Sequence, residues 1–268
     1  MAVKQFSELR ATRSQNNGII LIKPRLLFRA IELKYQSQPI PLRMSIPSSS
    51  IGSITTLEAA QIVSLLHLTQ PHRILEFGTY LGYTTRLLLE NSLPDSRVTT
   101  VDLPNSTAFD SSVVNASEPQ LHGSDSLNDK FLTWQRSLHG AYYLRNLPNE
   151  AKLRLHEVEA DSRTLRPEDF PNSLDAKYCF AFIDGGHDKP TVESDSALAF
   201  SVIAERGVLV WHDFNSQIHR DVTLVVNLLS ESSRIYSIEN TLLAFQFVGE
   251  DFLMSLAEST EKLEGQRL

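Results

Sequence analysis

The chain has 268 residues, 41% of them hydrophobic, and its 25 Lys and Arg stand against 32 Asp and Glu, a formal net charge of −7 at pH 7. That length supports one sizeable core with an appended subdomain, and the acidic balance argues against a nonspecific nucleic-acid partner. A single cysteine, Cys179, excludes an intrachain disulfide and a cysteine zinc cluster, and its apolar neighbours predict burial.

The apolar stretch 18–22 is too short for a secretory h-region and runs into Lys23-Pro24-Arg25. No apolar run is long enough to span a bilayer. The expectation is a soluble, cytoplasmic protein without a membrane partner. Residues 1–54 read as a helical and extended cap. A helix is expected over 26–35, with Leu26, Ala30 and Leu33 on one face. Residues 38–50, with Pro39, Pro41, Pro47 and a serine run, read as extended loop. Thr55 or Thr56 can cap the next helix, 57–68, with Glu58 in its first turn.

The main domain is placed at 55–250, and its organising stretch is 73–86, R-I-L-E-F-G-T-Y-L-G-Y-T-T-R. An apolar strand breaks at Glu76, Gly78 and Gly82 and resumes as a helix, the nucleoside-binding corner of a doubly wound sheet. The dinucleotide fingerprint packs its glycines as G-x-G-x-x-G. Here the spacing is E-x-G-x-x-x-G, with a carboxylate at the strand end. An acid repels phosphate and accepts hydrogen bonds from an ammonium or a ribose, so the stretch suits a cationic nucleoside.

A second strand, 96–102, ends in Asp102, placed to accept both hydroxyls of a ribose. Residues 105–150 form an insertion: a polar stretch, 105–125, then a helix over 127–144. A loop that long suggests either a substrate cover or oligomer contact, or a disordered surface insertion. A third strand covers 153–161, followed by Ser162. A fourth, from Tyr178, runs into F-I-D-G-G-H and ends at Asp184 and His187. A helix is expected over 191–204, a fifth strand over 208–211 ending in His212-Asp213-Phe214, and a helix over 221–229. Segments 234–238 and 242–248 read as a final antiparallel pair, and 251–268 as a tail helix.

In open parallel sheets, ligands bind outside the carboxyl ends of the strands. Glu76, Asp102, Asp161, Asp184, His187, His212 and Asp213 all fall at such ends. Asp184 and Asp213 are hard oxygen donors suited to magnesium. An unperturbed histidine titrates near working pH, and Asp184 close by can orient His187, which makes it the best general-base candidate. His67, His72 and His219 read as structural or solvated.

The stretch E-x-G-T-x-x-G-Y-T resembles motif I of the class I S-adenosylmethionine-dependent methyltransferases, in its small-molecule O-methyltransferase form. The F-I-D-G-G-H and G-V-L-V-W-H-D-F strand ends resemble the same branch. The resemblance implies an α/β, doubly wound, Rossmann-like sheet of seven strands, mostly parallel with an antiparallel final pair. It implies S-adenosyl-L-methionine as cofactor, held by Glu76, Gly78, Thr79, Gly82, Thr84, Asp102, Asp161, Ser162 and Asp184. Asp161 and Ser162, in A-D-S-x-x-L, resemble the loop that contacts adenine. It implies a small-molecule hydroxyl as methyl acceptor and His187 as catalytic base. A Mg2+ or other divalent ion would sit at Asp184 and Asp213, with His212 as a third ligand. Metal-dependent relatives carry Asn where Phe214 stands, so His212 or Asn215 would have to substitute. A hydroxylase-like enzyme on the same scaffold, a nicotinamide oxidoreductase and a non-catalytic S-adenosylmethionine-binding protein are the rival readings. Homo-oligomerisation is left open.

Overall fold

The computed structural model describes residues 18–45, 52–104, 125–170 and 177–255. The polar stretch 105–124, most of the serine run before Thr55 and residues 256–268 lie outside them. One sheet of eight strands, in the order β1-β7-β8-β6-β5-β2-β3-β4, carries the molecule. The strands are β1 (Ile19–Ile22), β2 (Arg73–Phe77), β3 (Arg97–Asp102), β4 (Leu155–Glu159), β5 (Tyr178–Ile183), β6 (Ile203–Trp211), β7 (Ile235–Ile238) and β8 (Ala244–Val248). All neighbouring pairs are parallel except β6 with β8 and β7 with β8, so β8 alone runs against the rest. This is the doubly wound, Rossmann-like arrangement, with one strand more than the seven expected. The extra strand is β1, from the segment read as a cap, which pairs parallel with β7.

The helices lie on both faces: α1 (Pro24–Lys34), α2 (Thr56–Thr69), α3 (Tyr83–Asn91), α4 (Asp125–His139), the single turn α5 (Asn149–Lys152), α6 (Lys189–Val202) and α7 (Arg220–Ser230). Two hydrophobic clusters fill the two faces. One packs α1, α2 and α3 on the sheet, the other α6 and α7. Central β5, Y-C-F-A-F-I, is apolar throughout because both its faces are covered, as a parallel strand requires. Only Cys179 departs, being half-buried rather than fully buried.

Local chemistry sets the boundaries. Thr55 and Glu58 form a reciprocal capping box that starts α2. The helix expected over 127–144 divides at Gly140, which takes a φ of +55°. The second part becomes a 3-10 turn over Tyr142–Leu144. β4 is shorter than expected because it is an edge strand, and Leu153, read as part of it, is 85% exposed. β6 begins earlier than expected, at Ile203, across a register irregularity against β5.

Hydrogen bonds continue past the strand ends and lock the loops in line. Gly78 N–H donates to Val101 O, Asp184 N–H to Phe77 O, and His212 N–H to Ile183 O. The glycine of motif I follows from this packing. Gly78 has a φ of +93°, and a Cβ there would fall 1.9 Å from the carbonyl oxygen of Asp184. Gly82, at φ +83°, starts α3 with Leu144 where a side chain would go. Glu76 is fully buried behind the same ends. Its Oε2 accepts from Thr85 at 2.5 Å and from Thr100 at 2.6 Å, while Oε1 has no hydrogen-bond partner. Burial pushes its carboxyl up to about 8.

Two expectations follow. Gly78→Ala forces the β2 and β5 loops apart and lowers stability by about 2–4 kcal/mol, read by urea denaturation. Glu76 carries a proton in the fold that the unfolded chain loses near 4.5. Its contribution is therefore present below that pH and is lost as pH rises toward about 8. The thermal midpoint of Glu76→Gln should fall less between pH 5 and pH 8 than that of the native chain, roughly the window those two values define. An equal fall in both proteins would contradict this account.

Candidate active site

A cavity of about 460 Å³ opens at the carboxyl ends of β2, β3, β5 and β6, within the usual size of a small-ligand site. Gly78, Asp102, Asp161, Ser162, Asp184, His187, His212 and Asp213 line it together. Glu76, Thr79, Gly82 and Thr84, expected to hold the cofactor, do not line it. They stand behind its wall. The Thr79 hydroxyl meets that of Thr100 at 2.7 Å, and Thr100 binds Glu76. The Glu76 side chain is turned to the loop, where hydroxyls on β3 and α3 donate to one of its oxygens.

On one side of the cavity, Asp102 ends β3 with its carboxylate turned to the loops. Its Oδ2 accepts from the Tyr80 N–H at 2.6 Å and its Oδ1 from the Leu103 N–H at 2.7 Å. The guanidinium of Arg136, from α4, also binds Oδ2. Asp161 caps the turn Ser162–Thr164 and holds the Arg163 side chain at 2.6 Å, which keeps its carboxyl below the usual range. Beneath them Asp195 of α6 is buried, with Ser162 as its neighbouring hydroxyl. Burial pushes it up to about 7.

The other side is a chain of alternating acids and imidazoles. His187 Nδ1 lies 2.6 Å from Asp129 Oδ1, and its Nε2 lies 3.0 Å from Asp213 Oδ2. His212 Nδ1 lies 3.1 Å from Asp184 Oδ1 and 3.4 Å from Asp213 Oδ2. Its far nitrogen, Nε2, faces Glu58 Oε2 at 3.6 Å. Burial opposes charge on both rings, yet the carboxylates outweigh it and hold both histidines well above the usual imidazole range. Burial raises Asp184, against the pull of His212. Asp213 is held well below the usual range, because its two imidazole neighbours outweigh its burial. Glu58 is brought down to about 2: its burial is outweighed by His212 and by the N–H groups of Leu242 and Thr55.

Four acids, Asp129, Asp184, Asp213 and Glu58, stand around the two imidazoles, which suits a further cation; an ion bound here would take His212 as the neutral ring, in place of its proton. Asp184, His212 and Asp213 offer three ligand atoms within 4.8 Å of one another. These residues fit a divalent ion, and the nitrogen donor shifts the preference from magnesium toward manganese, iron or zinc. Phe214 is packed in the core. Asn215 takes a φ of +65° and does not line the cavity, so His212 is the residue that joins the two acids. Asp213 itself has a φ of +58°, a strained backbone for a non-glycine residue, of the kind that aims functional side chains.

Four residues of this site escape a reading of the sequence. Glu58 looks like a helix cap and is one, yet its carboxylate also faces His212. Asp129 and Arg136 belong to the insertion helix. His219, read as structural or solvated, stacks on His187 with ring centroids 3.7 Å apart at 25°. Burial, then His187, lowers it to about 4, so it is neutral. The available signal was the spacing of Asn128, Asp129, Leu132, Thr133 and Arg136, one helix face that lines the cavity.

No helix of the described residues is long and apolar enough to cross a membrane. No curated protein matches the chain. Among solved structures it is loosely similar to the O-methyltransferase TomG from Streptomyces achromogenes, involved in tomaymycin synthesis and solved with S-adenosylmethionine. There the identity is 15% over 92% of this chain and 98% of that one, with a TM-score of 0.45. It is similar to the methyltransferase PaMTH1 of Podospora anserina, bound to S-adenosylhomocysteine, at 13% identity over 84% and 88%, TM-score 0.46. It is similar to an O-methyltransferase from Bacillus cereus at 12% identity over 92% and 100%, TM-score 0.45. The model of one family, described as a methyltransferase domain, matches residues 75–214. That is more than half of the chain and takes in both sides of the cavity, and the chain belongs to this methyltransferase family.

Proposed function

We propose that the chain transfers a methyl group from S-adenosylmethionine to a hydroxyl of a small molecule, with His187 as general base. The observation that carries this is the two-sided cavity. Asp102 lies on one wall, and an acid–imidazole cluster at β5 and β6 on the other. Asp102 would accept the ribose hydroxyls, and the acids of the cavity suit a sulfonium. Asp161 and Ser162, which line the cavity with Asp102, would contact the adenine ring.

The protein has little to do to a sulfonium beyond alignment. The acceptor must lie in line with the methyl group, and its proton must leave. His187 faces the cavity between Asp129 and Asp213. Its Nε2 gives its own proton to water in the cavity and parts from Asp213; the bare nitrogen then takes the hydroxyl proton as the oxygen bonds the methyl carbon and the sulfonium leaves as a thioether. A divalent ion held by Asp184, Asp213 and His212 would lower the pKa of a bound hydroxyl. The neighbours' acceptors, among them a rhamnose hydroxyl in one case, are properties of those proteins; for this chain the class is a small molecule that fits the cavity. The absence of a strongly basic surface balance favours such an acceptor over a nucleic acid.

Four outcomes test the reading. Tritiated methyl from S-adenosylmethionine, offered with a panel of phenols and sugars, should pass to at least one of them; tight cofactor binding with no transfer to any would count against enzymatic methylation. His187→Ala should slow that transfer by about 10²–10⁴-fold while leaving S-adenosylhomocysteine affinity nearly unchanged. Asp102→Ala should weaken S-adenosylhomocysteine binding by about 10- to 100-fold in a calorimetric titration, the worth of charged hydrogen bonds. Exhaustive chelation should lower the rate and Mn2+ or Mg2+ should restore it; a full rate after chelation would remove the ion from the reading.

A further inference from the structure

We propose that Asp129, on the insertion helix α4, is a positioning residue that fixes the ring of His187 for proton transfer. The inference rests on the reading of His187 as the base. One carboxylate makes two contacts with that residue. Oδ1 lies 2.6 Å from the ring Nδ1, and Oδ2 accepts the backbone N–H of His187 at 3.4 Å. The ring and its own peptide are therefore held from one side by one group.

The preceding residue holds the neighbouring ring. Asn128 Nδ2 lies 3.0 Å from His219 Nε2, and His219 stacks on His187. Two consecutive residues of α4 thus grip both rings of a stacked pair. Rotating His187 about χ2 would break the Asp129 contact and the stack together. With Nδ1–H donated to Asp129, the free tautomer presents Nε2, and Nε2 is the nitrogen on the Asp213 side of the cavity. A carboxylate that selects the tautomer and orientation of a histidine is a recurrent arrangement in proton-transfer sites.

The consequence concerns the insertion. Asp129 lies outside the strand ends that carry the other acids. It reaches His187 only when α4 is seated over the cavity, where Leu132, Thr133 and Arg136 also line the wall. The base is complete only with this helix in place, so the element that faces the acceptor also aligns the group that deprotonates it.

The test uses the full chain labelled with 15N-histidine. In the native protein the His187 ring, assigned by its loss in His187→Ala, should carry a proton on Nδ1 in a short hydrogen bond, shifted far downfield. Asp129→Asn should move or abolish that signal while the thermal midpoint and S-adenosylhomocysteine affinity hold, and Asp129→Glu should recover part of it. With an acceptor that takes tritiated methyl, Asp129→Asn should lower kcat by about 10²-fold with KM nearly unchanged. In the His187→Ala background the same substitution should cost nothing more. Equal losses in both backgrounds, or an unmoved ring signal, overturn the proposal. Loss of the Nδ1 proton on adding one equivalent of Zn2+ would also overturn it, by assigning Asp129, His187 and His219, whose ligand atoms lie within 4.8 Å of one another, to a metal. A full rate in His187→Ala alone would instead sink the base reading itself.

Discussion

The site depends on charge balance between strand ends. β5 and β6 are adjacent and parallel, so the residues that follow them, Asp184 and Asp213, emerge side by side. Two buried carboxylates so close cannot both ionise without a cation between them. His212 supplies one, set between the two acids. Glu58 backs it from α2, and His187 takes the outer side of Asp213. The strained backbone of Asp213, the register of α2 and the seating of α4 all serve this arrangement of charges. Opposite charges that are buried and only partly matched are costly in a purely structural role, and perturbed groups of this kind gather where proteins do chemistry.

Much of this was legible in the sequence, and for a definable reason. Parallel strands buried on both faces must be apolar throughout, so the first polar residue after each run marks the carboxyl end. Asp102, Asp184, His212 and Asp213 announce themselves in that way. Their convergence then follows from topology alone. Glu76 shows the limit of the rule. It lies within its strand's last residues, and a pattern of types does not say which way a side chain points. Thr85 and Thr100 meet it from inside, so it braces the loop instead of facing the cavity. The eighth strand was hidden because β1 is only four residues long and pairs with a partner distant in sequence.

Helix α4 was legible as a helix and illegible as a wall. Its apolar residues mark the periodicity, but Asn128, Asp129 and Arg136 look like an ordinary solvated face. They become site residues only because the helix folds back over the sheet, a long-range event without a local signal. His219 was missed for a related reason. It precedes α7, away from any strand end, and only the stack on His187 gives it meaning.

The added strand has a consequence for how the molecule assembles. Ile19 pairs with Ile235, so the first strand of the chain waits for one of the last. That is the kind of long-range pairing that slows folding, because a large loop must close before the contact forms. As the chain leaves the ribosome, β2 and β3 are complete long before β1 has a partner. The apolar Ile20 and Ile22, later buried, lack that neighbour until residues 235–238 are made. The edge of the sheet farthest from β4 is then the last to close.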